Sequence, residues 1–590
     1  MPEAVAGRIV TPMSSPAVTA RRSMAFAAAE ADVHAAGILV VNVERHTIAL
    51  VSDRGAVRAV DNRCPHMGFP LHRGSLRDGI LTCHWHHARF DLASGGTFDQ
   101  WADDLRSYPV EVRDGGVWVD LSPRGDEQAH RRGRLRVGLE RNLGLVIAKA
   151  VIALGDSEID ASFRAGLEFG AGGREDGWAM GLTILSCMRN LIPRLDEPER
   201  PRALYHGLTA VAADCAGMAP RYMIAPLPGA EAADADAVER WLREFVEVRD
   251  AEGAERAIVS AVRSGAPPPR VAAMLYTAAT DHRYLRTGHV LDFVTKACEA
   301  LAHAGWDVAE PVLASLAAGL AEADRAEESN QWRHPVDLVA ILERAFVELP
   351  DALAPQRAPW SPPPGFTETL LGEGAEAVAR ALLDALRAGA EPARVAGEVA
   401  YAAALRVARF PVTNEFADWD TALHTFTFAN AVHQGLRRTG SAALVRGVFD
   451  AAMSVYLDRF LNVPPARLPA AEPREASEDE LLDLLDGQQR VDDAGALVMG
   501  WAAADGAPER IAAALGRALL REDRDFHTIQ MVEAALGQHD LQPDAERRAH
   551  MLVAAARYLA AHAPTPRAQG QTFQIAWRLH RGERLYEEAL

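Results

Sequence analysis

The sequence predicts a multidomain fold: a small all-β domain followed by a large all-α domain of repeated helical hairpins, stacked as a solenoid or closed as a toroid. Three observations predict it. Residues 37–121 carry short β-branched runs of strand length, broken by turn residues such as Asp53-Arg-Gly55 and Asp114-Gly-Gly. After about residue 136, Ala, Leu, Val and Arg recur at helical spacing between Pro and Gly. Finally, 590 residues exceed what one hydrophobic core holds and suggest two to four domains.

Taken in order, residues 1–30 read as an N-terminal tail. Residues 31–122 are the β-domain, with strands expected at 38–43, 47–52, 57–60 and 80–82 and a closing hairpin over 110–119. The Arg- and Gly-rich stretch 123–140 reads as a linker, and residues 141–590 as the all-α domain. There the spacing predicts helices over 177–191, 203–216, 270–281, 289–303, 311–323, 335–347, 375–388, 394–409, 421–437, 442–460, 509–521, 526–536 and 545–561. Pro269-Arg-Val-Ala-Ala-Met-Leu-Tyr-Thr-Ala-Ala echoes Ala393-Arg-Val-Ala-Gly-Glu-Val-Ala-Tyr-Ala-Ala, which suggests hairpin repeats.

Composition narrows the partners. A formal net charge of −19 argues against phosphate backbones and anionic membrane surfaces. No apolar run is long enough to span a bilayer. The pair Arg21-Arg22 resembles a twin-arginine export signal, but Glu30 and Asp32 interrupt the apolar stretch that such a signal needs, so the expected location is the cytoplasm. Of five cysteines, Cys187, Cys215 and Cys298 stand singly in apolar helical stretches and read as buried thiols.

The other two cysteines belong to a motif. Cys64-Pro65-His66 and Cys83-His84-Trp85-His86 offer two thiolates and two imidazoles on two loops, with Gly68, Gly74 and Gly95-Gly96 to turn them. Such a donor set suits zinc, or a two-iron cluster with thiolates on one iron and neutral imidazoles on the other. The β-domain context and the glycine placement favour the cluster. The run Cys-Pro-His-Met-Gly…Cys-His-Trp-His-His-Ala-Arg-Phe-Asp resembles the Rieske ferredoxin and oxygenase branch. That resemblance implies a [2Fe-2S] cluster on Cys64, His66, Cys83 and His86, with His66 or His86 as the exit point for electrons. Phe69 and Trp85 occupy the places where the respiratory branch carries a disulfide.

Histidines mark the α-domain. His206, His289, His334, His424 and His527 are each expected near the start of a helix, where the dipole disfavours the protonated ring and leaves a neutral ligand. Stacked hairpins would bring equivalent positions to one side, and a redox cluster in the same chain makes iron the sensible metal. His282, His303 and His433 lie off that position and read as structural. Lys296 is one of two lysines in the chain and falls two turns after His289; carboxylated, it would offer an anionic oxygen. Phe426, Phe428, Tyr276 and Trp332 are candidates for an apolar pocket wall, though core packing explains each equally well.

Ring-hydroxylating Rieske oxygenases carry two closely spaced histidines after an aspartate in a sheet-rich domain, and nothing after residue 130 shows that spacing. The histidine-bearing helices, as in Leu423-His-Thr-Phe-Thr-Phe-Ala and Arg333-His-Pro-Val-Asp-Leu, are instead similar to the questin-oxidase-like family. The resemblance, over roughly residues 140–590, implies an iron-dependent oxygenase of anthraquinones and related polyketides. It also implies a mononuclear non-haem iron on four histidines and a carboxylated lysine, here His206, His289, His424 and His527 with Lys296. The reading is therefore a Rieske-dependent oxygenase with a small-molecule substrate, O2 and an NAD(P)H-dependent reductase or ferredoxin as electron donor, acting as a monomer or a homo-oligomer. No individual catalytic residue is singled out. The alternative is an electron carrier whose metal-free helical domain docks a partner enzyme.

Overall fold

In the computed structural model of the chain, the described residues are 24–122, 126–230, 234–354, 358–504 and 508–585. Arg21 and Arg22 lie outside them. The chain divides after Glu127 into a β-rich unit and a helical unit, Gln128–Gly582.

Among its described residues the first unit contains ten strands: β1 (Met24–Ala29), β2 (Ile38–Val43), β3 (His46–Asp53), β4 (Ala56–Asp61), β5 (Ser75–Arg77), β6 (Ile80–Thr82), β7 (Arg89–Asp91), β8 (Ser107–Tyr108), β9 (Val110–Arg113) and β10 (Gly116–Asp120). They form three antiparallel sheets in the orders β1-β10-β9, β2-β3-β4-β8 and β5-β6-β7. The β9–β10 hairpin turns through Asp114 and Gly115, both at positive φ, as a two-residue turn between twisted strands requires. Ile48, Leu50, Val117 and Val119 pack one core, while Val51, Leu81 and Phe90 pack another around Cys64 and Cys83.

The unit begins earlier than the sequence indicated. Met24–Ala29, read as tail, pairs along β10, and Glu30–Ala36 forms a short helix. Its Ala-rich sequence has no alternation of its own, and the partner strand supplies the order. Likewise Glu127–Glu140, read as linker, is helical.

The second unit is all helical: among the described residues no strand follows Asp120, and 23 α-helices do. Among the described residues no helix is long and apolar enough to cross a membrane. Three helices carry the candidate site, His289–Ala304, Phe416–Thr439 and Phe526–His539. The 416–439 helix packs against both of the others. Their contacts advance together along the sequence: His289 meets His527, Asp292 meets Gln530, and Lys296 meets Glu533. The 289–304 and 526–539 helices therefore run parallel, starting from a common point.

Candidate metal centres

In the β-unit the two loops have the same closed form. The Cys64 amide donates to the Phe69 carbonyl and the Cys83 amide to the Ala88 carbonyl, each at 2.8 Å. This buries both thiols and hydrogen-bonds them to each other. The hydrogen bond with Cys64 lowers the Cys83 thiol below its ordinary value, while the bond to Cys83, and then burial, hold Cys64 above its own. Amides of His66 and Met67 donate to the Cys64 sulfur, and those of Trp85 and His86 to the Cys83 sulfur.

Across the loops the His66 and His86 rings stand edge to face, with centroids 4.9 Å apart. Trp101 lies against His66 at 4.7 Å and Trp85 against His86 at 4.4 Å. The donors thus form a thiol pair and an imidazole pair. Among the described residues, the group of three or more donors lying mutually within 4.8 Å is found elsewhere, at His289, His424 and His527. Four donors around one tetrahedral zinc would form such a group; two pairs suit a binuclear cluster, with amide donors aimed at the sulfurs.

The second centre is that histidine group. His424 Nε2 and His527 Nε2 are 3.0 Å apart. Two metal–nitrogen bonds of about 2.1 Å meeting at about 90° place their nitrogens about 3.0 Å apart, so this edge fits a shared cation. The His289 ring lies 4.6 Å from that of His424 and 5.8 Å from that of His527, centroid to centroid. Phe293 and Phe526 flank His289 at 5.7 and 5.6 Å.

Burial, followed by the neighbouring imidazoles, lowers His289 to about 3 and His424 to about 4. His289 is the first residue of its helix, so the helix N-terminus also opposes its protonation. The His289 and His424 rings are neutral at ordinary pH. His289 is delivered by a taut turn: Tyr284, Arg286 and Thr287 all have positive φ, and a Cβ at Gly288 would come within 2.9 Å of Phe428 Cβ.

Three of the six residues expected at the metal are not part of this group. His206 lies mid-helix in Arg200–Cys215, buried, with Nε2 lacking a hydrogen-bond partner. His334 is exposed and precedes the Leu338–Leu353 helix instead of opening one. Lys296 is buried and donates to Glu533 at 2.7 Å and Glu299 at 3.0 Å. Although burial pulls its amine down, those carboxylates hold it well above its ordinary value. A carboxylated amine would place a third anion between them, and Lys296 is not among the donors that converge. His424, too, sits well inside its helix, not at the start.

His282 pairs with Glu327 at 2.8 Å, His303 with Asn190 at 2.9 Å and His433 with Gln538 at 3.1 Å. Phe426, Phe428, Tyr276 and Trp332 are core residues. The aromatic neighbours of the site, Phe293 and Phe526, were not singled out from sequence. Nor was Asp420, whose Oδ2 is 3.6 Å from His527 Nδ1. The available signal was spacing: Asp420 falls four residues before His424, one turn away on the same helix face.

The Rieske [2Fe-2S] domain family matches residues 23–109. Apoptosis-inducing factor 3 of Homo sapiens is 26% identical over 158 residues, 27% of this chain and 25% of that protein. A vanillate O-demethylase oxygenase subunit from Pseudomonas sp. is 41% identical over 70 residues, 11% of this chain and 20% of its own. The chain thus spans a quarter or less of these two relatives. The 3-phenylpropionate/cinnamic acid dioxygenase ferredoxin subunit of Photorhabdus laumondii is 38% identical over 77 residues, 13% of this chain and 73% of that subunit. Through residues 23–109 the chain belongs to the Rieske [2Fe-2S] domain family.

Proposed function

We propose that the chain is a Rieske-dependent non-haem iron oxygenase, with Cys64, His66, Cys83 and His86 holding the cluster and His289, His424 and His527 holding a mononuclear iron. The observation that carries this reading is the convergence of three imidazoles from three separate helices, with ligand atoms mutually within 4.8 Å. Loaded, the two centres supply one-electron transfer and oxygen activation respectively.

The chain's own residues do the rest. His86 is exposed and presents an edge of the cluster site to an electron donor, a reductase or ferredoxin. Three protein ligands leave coordination positions open for oxygen and substrate. Phe293 and Phe526 give the histidine site an apolar flank suited to an aromatic or polyketide substrate. Burial keeps the ligand nitrogens unprotonated, so binding needs no proton release from His289 or His424 above about pH 5.

Iron and sulfide analysis of anaerobically purified protein tests the proposal. The oxygenase reading expects about three irons and two sulfides per chain. His424→Ala removes one ligand and is expected to lose the extra iron while leaving the cluster's visible spectrum intact. Two irons in the wild type, unchanged by His424→Ala, would instead make the chain an electron carrier.

A further inference from the structure

His527 differs from the other two imidazoles in having a carboxylate opposite its outer nitrogen. Its Nε2 faces His424, and across the ring Nδ1 lies 3.6 Å from Asp420 Oδ2, an ion-pair separation just outside a hydrogen bond that a small side-chain adjustment would close. Asp525 Oδ2 is 4.0 Å away, but Asp525 is engaged as the N-cap of the same helix, its Oδ1 accepting from the Thr528 amide at 2.9 Å. Asp420 is in turn fixed from a third helix, Ala545–Ala561. The Tyr558 phenol donates to Asp420 Oδ1 at 2.6 Å. Burial, and then the Asp420 charge, hold that phenol well above its ordinary value, so it remains a donor. Tyr558 is fully buried and stacked on His562 at 4.2 Å, which leaves the hydroxyl little freedom to point elsewhere.

We propose that Asp420, clamped by Tyr558, is the positioning carboxylate of the histidine site: it keeps the proton of His527 on Nδ1 and so presents the Nε2 lone pair to the cation beside that of His424. This rests on the proposed iron site and adds how it is oriented. Asp420 and His424 occupy one face of one helix, one turn apart. A single helix thereby supplies a ligand directly and, through Asp420, aligns the ligand of its neighbour. A carboxylate on the outer nitrogen fixes the tautomer, raises the basicity of the inner nitrogen and stabilises the cation it binds; losing such a partner typically weakens metal binding 10- to 100-fold.

The test uses the full chain with its cluster intact. Fe(II) affinity of the helical site is measured anaerobically by competition with a chelator, for the wild type, Asp420→Asn, Asp420→Glu and Tyr558→Phe. Separately, 15N NMR of labelled histidines reads the His527 tautomer without added metal. The expected result is a 10- to 100-fold weaker Fe(II) affinity in Asp420→Asn, a smaller loss in Tyr558→Phe and partial recovery in Asp420→Glu, together with a mixed His527 tautomer in Asp420→Asn. Unchanged affinity and tautomer in both Asp420→Asn and Tyr558→Phe would overturn the proposal while leaving the iron site standing. A wild type that binds no iron beyond the cluster would overturn the site itself, and the tautomer measurement would still decide the role of Asp420. If Asp420→Asn does not fold, Tyr558→Phe, which removes a single hydroxyl, decides alone.

Discussion

At the scale of residues, the direction in which each ring points decides which histidines converge. His289 and His527 open their helices and lean back over the N-terminus toward each other, while His424 reaches them from within a long neighbour. His206 shows the opposite case, a fully buried ring whose charged form is penalised by burial and by Arg202, bringing it down to about 3. The unfolded chain takes up that proton near pH 6.5 and the folded chain does not, so stability falls as pH drops from about 6.5 toward 3. His206→Leu is expected to flatten the dependence of unfolding free energy on pH, between about pH 4 and 6, by up to about 1.4 kcal/mol per pH unit. Urea titrations at a series of pH values read that slope, and an unchanged slope would show that the ring already carries its proton. The candidate cluster motif was legible at this scale because its four donors lie within 23 residues, Cys64 to His86. Two of the five helical histidines were misjudged because spacing alone does not say which face of a helix is turned toward the site.

At the scale of elements, the 289–304 and 526–539 helices are locked in parallel register by a buried charge cluster. Lys296 bridges Glu299 and Glu533, and Asn190 donates to both carboxylates at 2.8 Å. This cluster explains a lysine on an interior helix face without assigning it to the metal. Removing the cation would leave two buried carboxylates unpaired, so Lys296→Met is expected to destabilise the helical unit by about 3–5 kcal/mol. Denaturant unfolding followed by far-UV circular dichroism checks it; a change below about 1 kcal/mol would mean that the carboxylates are protonated or hydrated. Sequence periodicity found most helices of this unit. It did not reveal the strand Met24–Ala29 or the helix Glu127–Glu140, because the first has no alternation and takes its order from β10, and the second is a polar, Arg-rich helix whose pattern reads equally as linker. Which helices lie side by side was also beyond local pattern: the pairing of Lys296 with Glu533 spans 237 residues.

At the scale of the whole molecule, the chain couples a member of a known electron-transfer family to an all-α unit carrying a second candidate metal centre. The β-unit's chemistry is set by short-range sequence, two loops and their glycines. That of the helical unit depends on contacts between segments more than 100 residues apart, such as His424 with His527. The proposed oxygenase requires those distant imidazoles to share one cation. The most direct measurement is an anomalous difference map collected at the iron edge from crystals of the full chain grown anaerobically. The expected map shows one iron feature beside Cys64, His66, Cys83 and His86 and a second, separate one among the ring nitrogens of His289, His424 and His527. A map with the first feature alone, from crystals supplied with excess Fe(II), would contradict it.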